Sequence, residues 1–241
     1  MALLFFLILL LLCRLIYLRH DTRLPTPHLL LLSGLLLLAV PALSVSPALV
    51  FVLLPLALLG LWGTERLLPA RGLNEWRLLG LLLVVVPAVP LHGLITEGPL
   101  FSALLGGTGL SDAALRQGTW VLLGFLLVAH EANLPIRSLL RWSGLAPRDD
   151  VADTEKEIDT VVDRQEYNAG RLIGLTERWL MYTILVAAEE YNVIAFVLAA
   201  KGFARFRQMD QRAFAEYVLI GTLASTFFTV IISLLVLYNI R

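Results

Sequence analysis

Few residues in this 241-residue chain could do chemistry, and most of them lie within or beside apolar runs. His130, Asn133, Arg137 and Arg141 recur at i, i+3, i+7 and i+11, which places them on one stripe of a helix. Glu131 adjoins that stripe and falls about 16 Å along the helix from Trp120. A carboxylate at membrane depth must be paired, hydrated or protonated, and Arg137, Arg178 and Lys201 are its candidate counter-ions. Glu177 and Arg178 are expected to pair near the inner leaflet with Arg171 or Glu216. Glu189 and Glu190 interrupt a second apolar stretch that ends at Lys201. Two chemistries suit such a set: a polar route for a proton, ion or small solute, or an ion-pair network that fixes helix register.

Other chemistries find no support. His20, His28, His92 and His130 are scattered along the chain, so no metal site and no haem pair is expected. The single cysteine, Cys13, excludes an internal disulfide. No Ser–His–Asp set can be assembled at one depth, so no catalytic residue and no cofactor is assigned. A net charge of zero gives no reason to expect a nucleic-acid partner. Residues 149–166 are rich in acid, with Val151, Ile158, Val161 and Val162 in a helical rhythm. That segment reads as an interfacial helix whose Asp153, Glu157 and Asp159 dock a protein partner.

The elements that must position these residues follow from hydropathy. Hydrophobic residues make up 58% of the chain and charged residues 16%, far from the balance of a soluble domain. Apolar segments over residues 2–18, 28–43, 48–62, 78–95, 120–140 and 217–238 approach or exceed the length a membrane helix requires. Residues 2–18 read as a permanent helix rather than a signal peptide, because Arg14, Arg19 and Arg23 follow the apolar run instead of preceding it. Arg14 is expected to snorkel toward the headgroups. Pro41 and Pro47 mark a tight turn, while Pro87 and Pro90 predict a kink.

Residues 172–203 read either as one long helix or as a hairpin turning at Glu189, Glu190 and Asn192. Charge sidedness separates the two. The hairpin places every Lys and Arg except Arg116 and Arg241 on one side, whereas the single helix moves Lys201, Arg205, Arg207 and Arg212 across. Positive charge favours the cytoplasmic side, so the hairpin is preferred, with both termini outside. Its second arm, residues 191–203, is only about 20 Å long, which leaves full crossing and a re-entrant path both open. The expected fold is therefore all-α, a polytopic helical membrane protein of about eight membrane segments. It divides into a five-helix region (1–145), an acidic cytoplasmic segment (146–170) and a C-terminal membrane region (171–241).

Three strings in the C-terminal half carry a likeness. They are GRLIGLTER (170–178), FVLAAKGFARF (196–206) and FAEYVLIGTLAS (214–225). In that order they resemble an uncharacterised family of bacterial integral inner-membrane proteins, and EANLPIR (131–137) is similar to a segment that precedes them. Gly202 stands where such chains usually carry serine, and the Leu-rich N-terminal half does not match. The resemblance implies a bacterial inner membrane and no particular activity.

The same strings combine small residues with charge. Gly170 with Gly174, Ala195 with Ala199, and Gly221 with Ser225 have the spacing of close helix approach. Thr222, Ser225, Thr226, Thr229 and Ser233 give the last segment a polar side, read as interhelical hydrogen bonding or a narrow polar interior. Tyr17, Trp62, Trp142 and Tyr217 fall at inner ends, and Trp120, Tyr191 and Tyr238 at outer ones, as interfacial belts do. Three functions fit. The first is a scaffold or subunit that packs on a membrane partner through its small-residue faces and acidic segment, surrounded by lipid and open to self-association. The second is a transporter or channel subunit with a route through Glu131 and the hairpin. The third is a lipid-modifying enzyme. No internal repeat favours the transporter, and dispersed polar groups disfavour the enzyme, so the scaffold leads.

Overall fold

Away from water a backbone is satisfied in helices or closed barrels, and unbroken leucine-rich runs lack the alternation of barrel strands, so they form helices. The computed structural model describes residues 1–20, 22–69, 72–107, 109–143, 164–204, 206 and 212–241, and these are mostly helical with no strand among them. In chain order the helices are α1 (Ala2–Arg14, continued by a 3-10 turn over Leu15–Leu18), α2 (Thr26–Leu43), α3 (Ala48–Leu67), α4 (Leu73–Leu91), α5 (Pro99–Gly106), α6 (Asp112–Leu126), α7 (Asn133–Trp142), α8 (Arg164–Ala188), α9 (Asn192–Ala204) and α10 (Arg212–Ile240). Among the described residues five stretches are long and apolar enough to cross a membrane: Thr26–Leu43, Ala48–Leu67, Leu73–Leu94, Asp112–Trp142 and Ala215–Ile240. Ala2–Leu18 and Asn192–Ala204 are shorter apolar helices.

Helix α6 is central. Its N-terminus is capped by Ser111, whose hydroxyl accepts from the Ala114 amide. One side of α6 packs on α1, while α8 and α10 pack on α6 and on each other. The larger apolar core joins α1, α2, α3, α4 and α6 through residues such as Phe6, Leu29, Leu49, Leu53 and Val84. A smaller one joins Val128, Tyr182 and Val236. Tyr182 donates its hydroxyl to the Val121 carbonyl at 2.7 Å.

Glycine sets the closest approaches, at positions the small-residue pairs above did not include. A methyl group on Gly60 of α3 would stand 2.8 Å from the Gly80 carbonyl oxygen of α4, so those backbones touch. One on Gly124 of α6 would meet Tyr182 and Val236. Around Gly174 and Gly221 there is only ordinary contact.

Several expectations are revised. The fifth segment is a continuous helical path over Asp112–Trp142, so Trp120 lies well inside it rather than at its start. The turn after α2 does fall between Pro41 and Pro47, as expected, at Ser44–Ser46, with Pro41 itself inside the helix. There Ser44 and Ser46 donate to the carbonyls of Thr96 and Leu94, which ties this turn to the one after α4. The short α5 was not anticipated. Its Phe101 meets Phe5 edge-on at 4.8 Å. The hydroxyls of Thr222, Thr229 and Ser233 bond carbonyls one turn back in α10, not a neighbouring helix.

The break between α8 and α9 falls at Glu189, whose φ of 53° is the left-handed conformation that ends helices. Arg241 pairs with Glu189, Gln117 donates to the Ile240 carbonyl, and Met1 lies against Glu97. Both chain ends and the α8–α9 tip thus share one end of the bundle. Arg23, Arg66, Arg77 and Arg141 cluster at the opposite, basic end.

Candidate functional site: a buried charge cluster

Two carboxylates and two guanidiniums meet inside the bundle near its basic end. Arg14, the last residue of α1, does not snorkel; it is buried and bonds Glu131 through both arms, Nε to Oε1 at 2.6 Å and Nη2 to Oε2 at 3.0 Å. The same Nη2 donates to the Arg77 carbonyl at 2.8 Å. Arg77 in turn holds Glu65 at 2.8 Å, and these two are 1% and 0% exposed. Two positive and two negative charges therefore cancel within one contiguous cluster, the arrangement that makes charge tolerable at such depth.

Local backbone geometry aims both carboxylates. Glu65 and Glu131 each sit in a π-turn, Gly63–Leu67 in α3 and Leu127–Glu131 after α6. In each turn an amide reaches back five residues, Leu68 to Gly63 and Ala132 to Leu127. The wider turn rotates the acid relative to a regular helix. In a regular helix the Ala132 amide would bond Val128, whose carbonyl instead accepts from Arg178 Nε at 3.0 Å.

The cluster also holds the α1–α2 connection. Arg77 donates to the carbonyls of His20 and Thr22, and the Leu24 amide donates to Glu65 Oε2 at 2.7 Å. Irregular backbone at the margin of an apolar bundle is thereby satisfied by side chains. Tyr17, carried by the 3-10 turn, lies beside both cations. The Arg77 Cζ stands 4.1 Å from its ring centroid and the Arg14 Cζ 5.2 Å. Desolvated contacts of this kind contribute on the order of 2 kcal/mol.

The sequence candidates are distributed as follows. Glu131 finds Arg14, not Arg137, Arg178 or Lys201. Asn133 and Arg137 line a small cavity with Tyr17 and His130, while Arg141, further along the same stripe, pairs with Glu75. Glu177 pairs with Lys201 at 2.6 Å, joining α8 to α9. Among the described residues Arg178 bonds the Val128 and Ala129 carbonyls and Ser225 rather than a carboxylate. Glu189 meets Arg241 at the bundle tip, and Glu190 and Glu216 are exposed. Arg171 belongs to α8, but its side chain is outside the described set, and Asp153, Glu157 and Asp159 lie outside the described residues. Among the described residues no group of His, Cys, Asp and Glu could hold a metal ion.

Glu65 and Arg77 were not singled out from the sequence. Their only signal is opposite charge at facing ends of two apolar segments joined by a short connection. The fold and the cluster together define a helical protein with several membrane-span candidates and an internally neutralised polar centre. Compared with known proteins, no family model, no curated protein and no solved structure matches the chain.

Proposed function

We propose that this protein is a polytopic membrane scaffold or subunit that packs on a membrane partner, in a bacterial inner membrane and with both termini outside. The observation that carries this reading is the closure of the charge cluster. Arg14, Glu131, Glu65 and Arg77 neutralise one another across α1, α3, α4 and the α6–α7 path, as a brace does. A transport route through Glu131 and the hairpin asks Glu131, Glu189, Glu190 and Lys201 to share one polar path. Instead Glu131 and Lys201 bond different helices, and Glu189 lies at the tip.

An eight-segment topology is supported by chain direction. Helix α8, about 38 Å long at 1.5 Å per residue, ends at the tip shared with the termini, and α10 ends there too. The chain between them must return, which favours a crossing α9 over a re-entrant one. The partner face in this reading is α9, which packs mainly on α8 and leaves Phe196 and Phe203 exposed, with exposed Tyr191 just before it. The motif resemblance of this region to bacterial inner-membrane proteins fits the same location.

Photo-crosslinking residues placed at Phe196 and Phe203 in cells, with exposed Leu38 of α2 as the control, test the proposal. A discrete protein adduct of one mass from both α9 positions, absent at Leu38, is the expected result. Lipid adducts alone at all three positions would refute it.

A further inference from the structure

Beside the charge cluster lies a polar arrangement that the brace does not use. Among the described residues the Tyr17 hydroxyl and both ring nitrogens of His130 have no hydrogen-bond partner, although the two residues are 2% and 5% exposed. Their rings are 5.8 Å apart. Both line one cavity of about 10 Å3, together with Leu18, Asn74, Asn133, Leu134 and Arg137.

A buried hydroxyl or imidazole without a partner loses the hydrogen bonds it had in water, a penalty of about 1–3 kcal/mol for each group. Two residues that carry three such atoms and line one void call for a small polar ligand there. At about 10 Å3 the void is close to the size that holds a single water. Charge argues against a cation, because Arg137 lines the wall and the adjacent Glu131 is already neutralised by Arg14; an anion cannot donate to the acceptor nitrogen of a neutral imidazole, whereas water both donates and accepts. The cavity has a polar approach, because Asn74, in the first turn of α4, and Arg137 are both half-buried and lie toward the basic end.

We propose that this cavity is a hydration site reached from the basic end of the bundle. An exchangeable water there bonds the Tyr17 hydroxyl and the His130 ring, and gives the interior a solvent-coupled proton position next to the Arg14–Glu131 pair. A neutral imidazole offers one donor and one acceptor nitrogen, so it gives or takes a hydrogen bond to that water. The proposal stands apart from the partner reading and survives or fails independently of it.

Hydroxyl-radical radiolysis of the wild-type protein in lipid nanodiscs, in 18O-labelled water with mass-spectrometric readout, tests it directly. Tyr182 is the internal control, because it is as buried as Tyr17 at 1% exposed but has its hydroxyl bonded to Val121. Exposed Tyr191 and Tyr238 set the upper rate. Tyr17 and His130 are expected to take up label several-fold faster than Tyr182 from the lowest dose onward. Equal rates at Tyr17 and Tyr182 would overturn the proposal, as would labelling of Tyr17 only after a dose lag that marks unfolding.

Discussion

Replacing Glu131 by Gln keeps the shape of the side chain and removes its charge, so it isolates what the Arg14 pair contributes. The Arg14 guanidinium makes two bonds to the carboxylate, at 2.6 and 3.0 Å, and one to the Arg77 carbonyl. With Gln, one amide oxygen can still accept from Nε, but the amide NH2 opposes Nη2, and a buried cation is left unneutralised. Removing one partner of a buried pair costs about 3–5 kcal/mol, because the remaining charge has already been taken out of water. Arg14→Gln should cost a similar amount by stranding the carboxylate. In the double variant Arg14→Gln/Glu131→Gln neither charge remains, and the loss should fall well below the sum of the two. Equilibrium unfolding of the four proteins in one mild detergent gives the coupling energy, expected at about 2–4 kcal/mol, most of the cost of a single replacement. A coupling near 0.6 kcal/mol, the average for hydrogen bonds between membrane helices, would refute the brace.

Other outcomes follow from the same geometry. Gly60→Ala places a methyl group against the Gly80 carbonyl and should force α3 from α4, lowering stability by about 1–3 kcal/mol; a thermal midpoint equal to wild type would contradict the close approach. Tyr182→Phe removes the bond to Val121 and should cost about 1 kcal/mol in the same unfolding assay. Lys201→Ala breaks the part-buried pair with Glu177 and should raise hydrogen exchange across α9 more than across α10; equal change in both would mean the pair does not anchor the hairpin. Reversing the charge of Asp153, Glu157 and Asp159 should abolish co-purification of a partner while the thermal midpoint stays unchanged, and undiminished co-purification would remove that segment from the docking role.

Much of the architecture is readable along the chain because its signals are local. Long apolar runs with few charges specify helices whatever their neighbours do, and the breaks at Ser44–Ser46 and at Glu189 fall close to the Pro and paired-acid signals. The ends are less accurate. Helix α6 begins at Asp112, well before Trp120, because an N-cap at Ser111 extends it beyond the most apolar stretch. The polar side of α10 is visible as Thr and Ser spacing, but spacing does not say that those hydroxyls turn back on their own helix.

What the sequence determined by itself is the class: an all-helical chain with several runs able to cross a membrane, and a short list of ionisable residues whose burial demands a reason. Which of them meet was decided only by the tertiary structure. Glu131 is 117 positions from Arg14, and no periodicity within one helix reports a partner so far away. The π-turns that aim Glu65 and Glu131 leave no mark in the residue pattern, since one widened turn barely alters the hydrophobic rhythm. Pairing of buried charge depends on depth and azimuth across several helices at once, and those are set by packing, above all where Gly60 and Gly80 let two backbones touch.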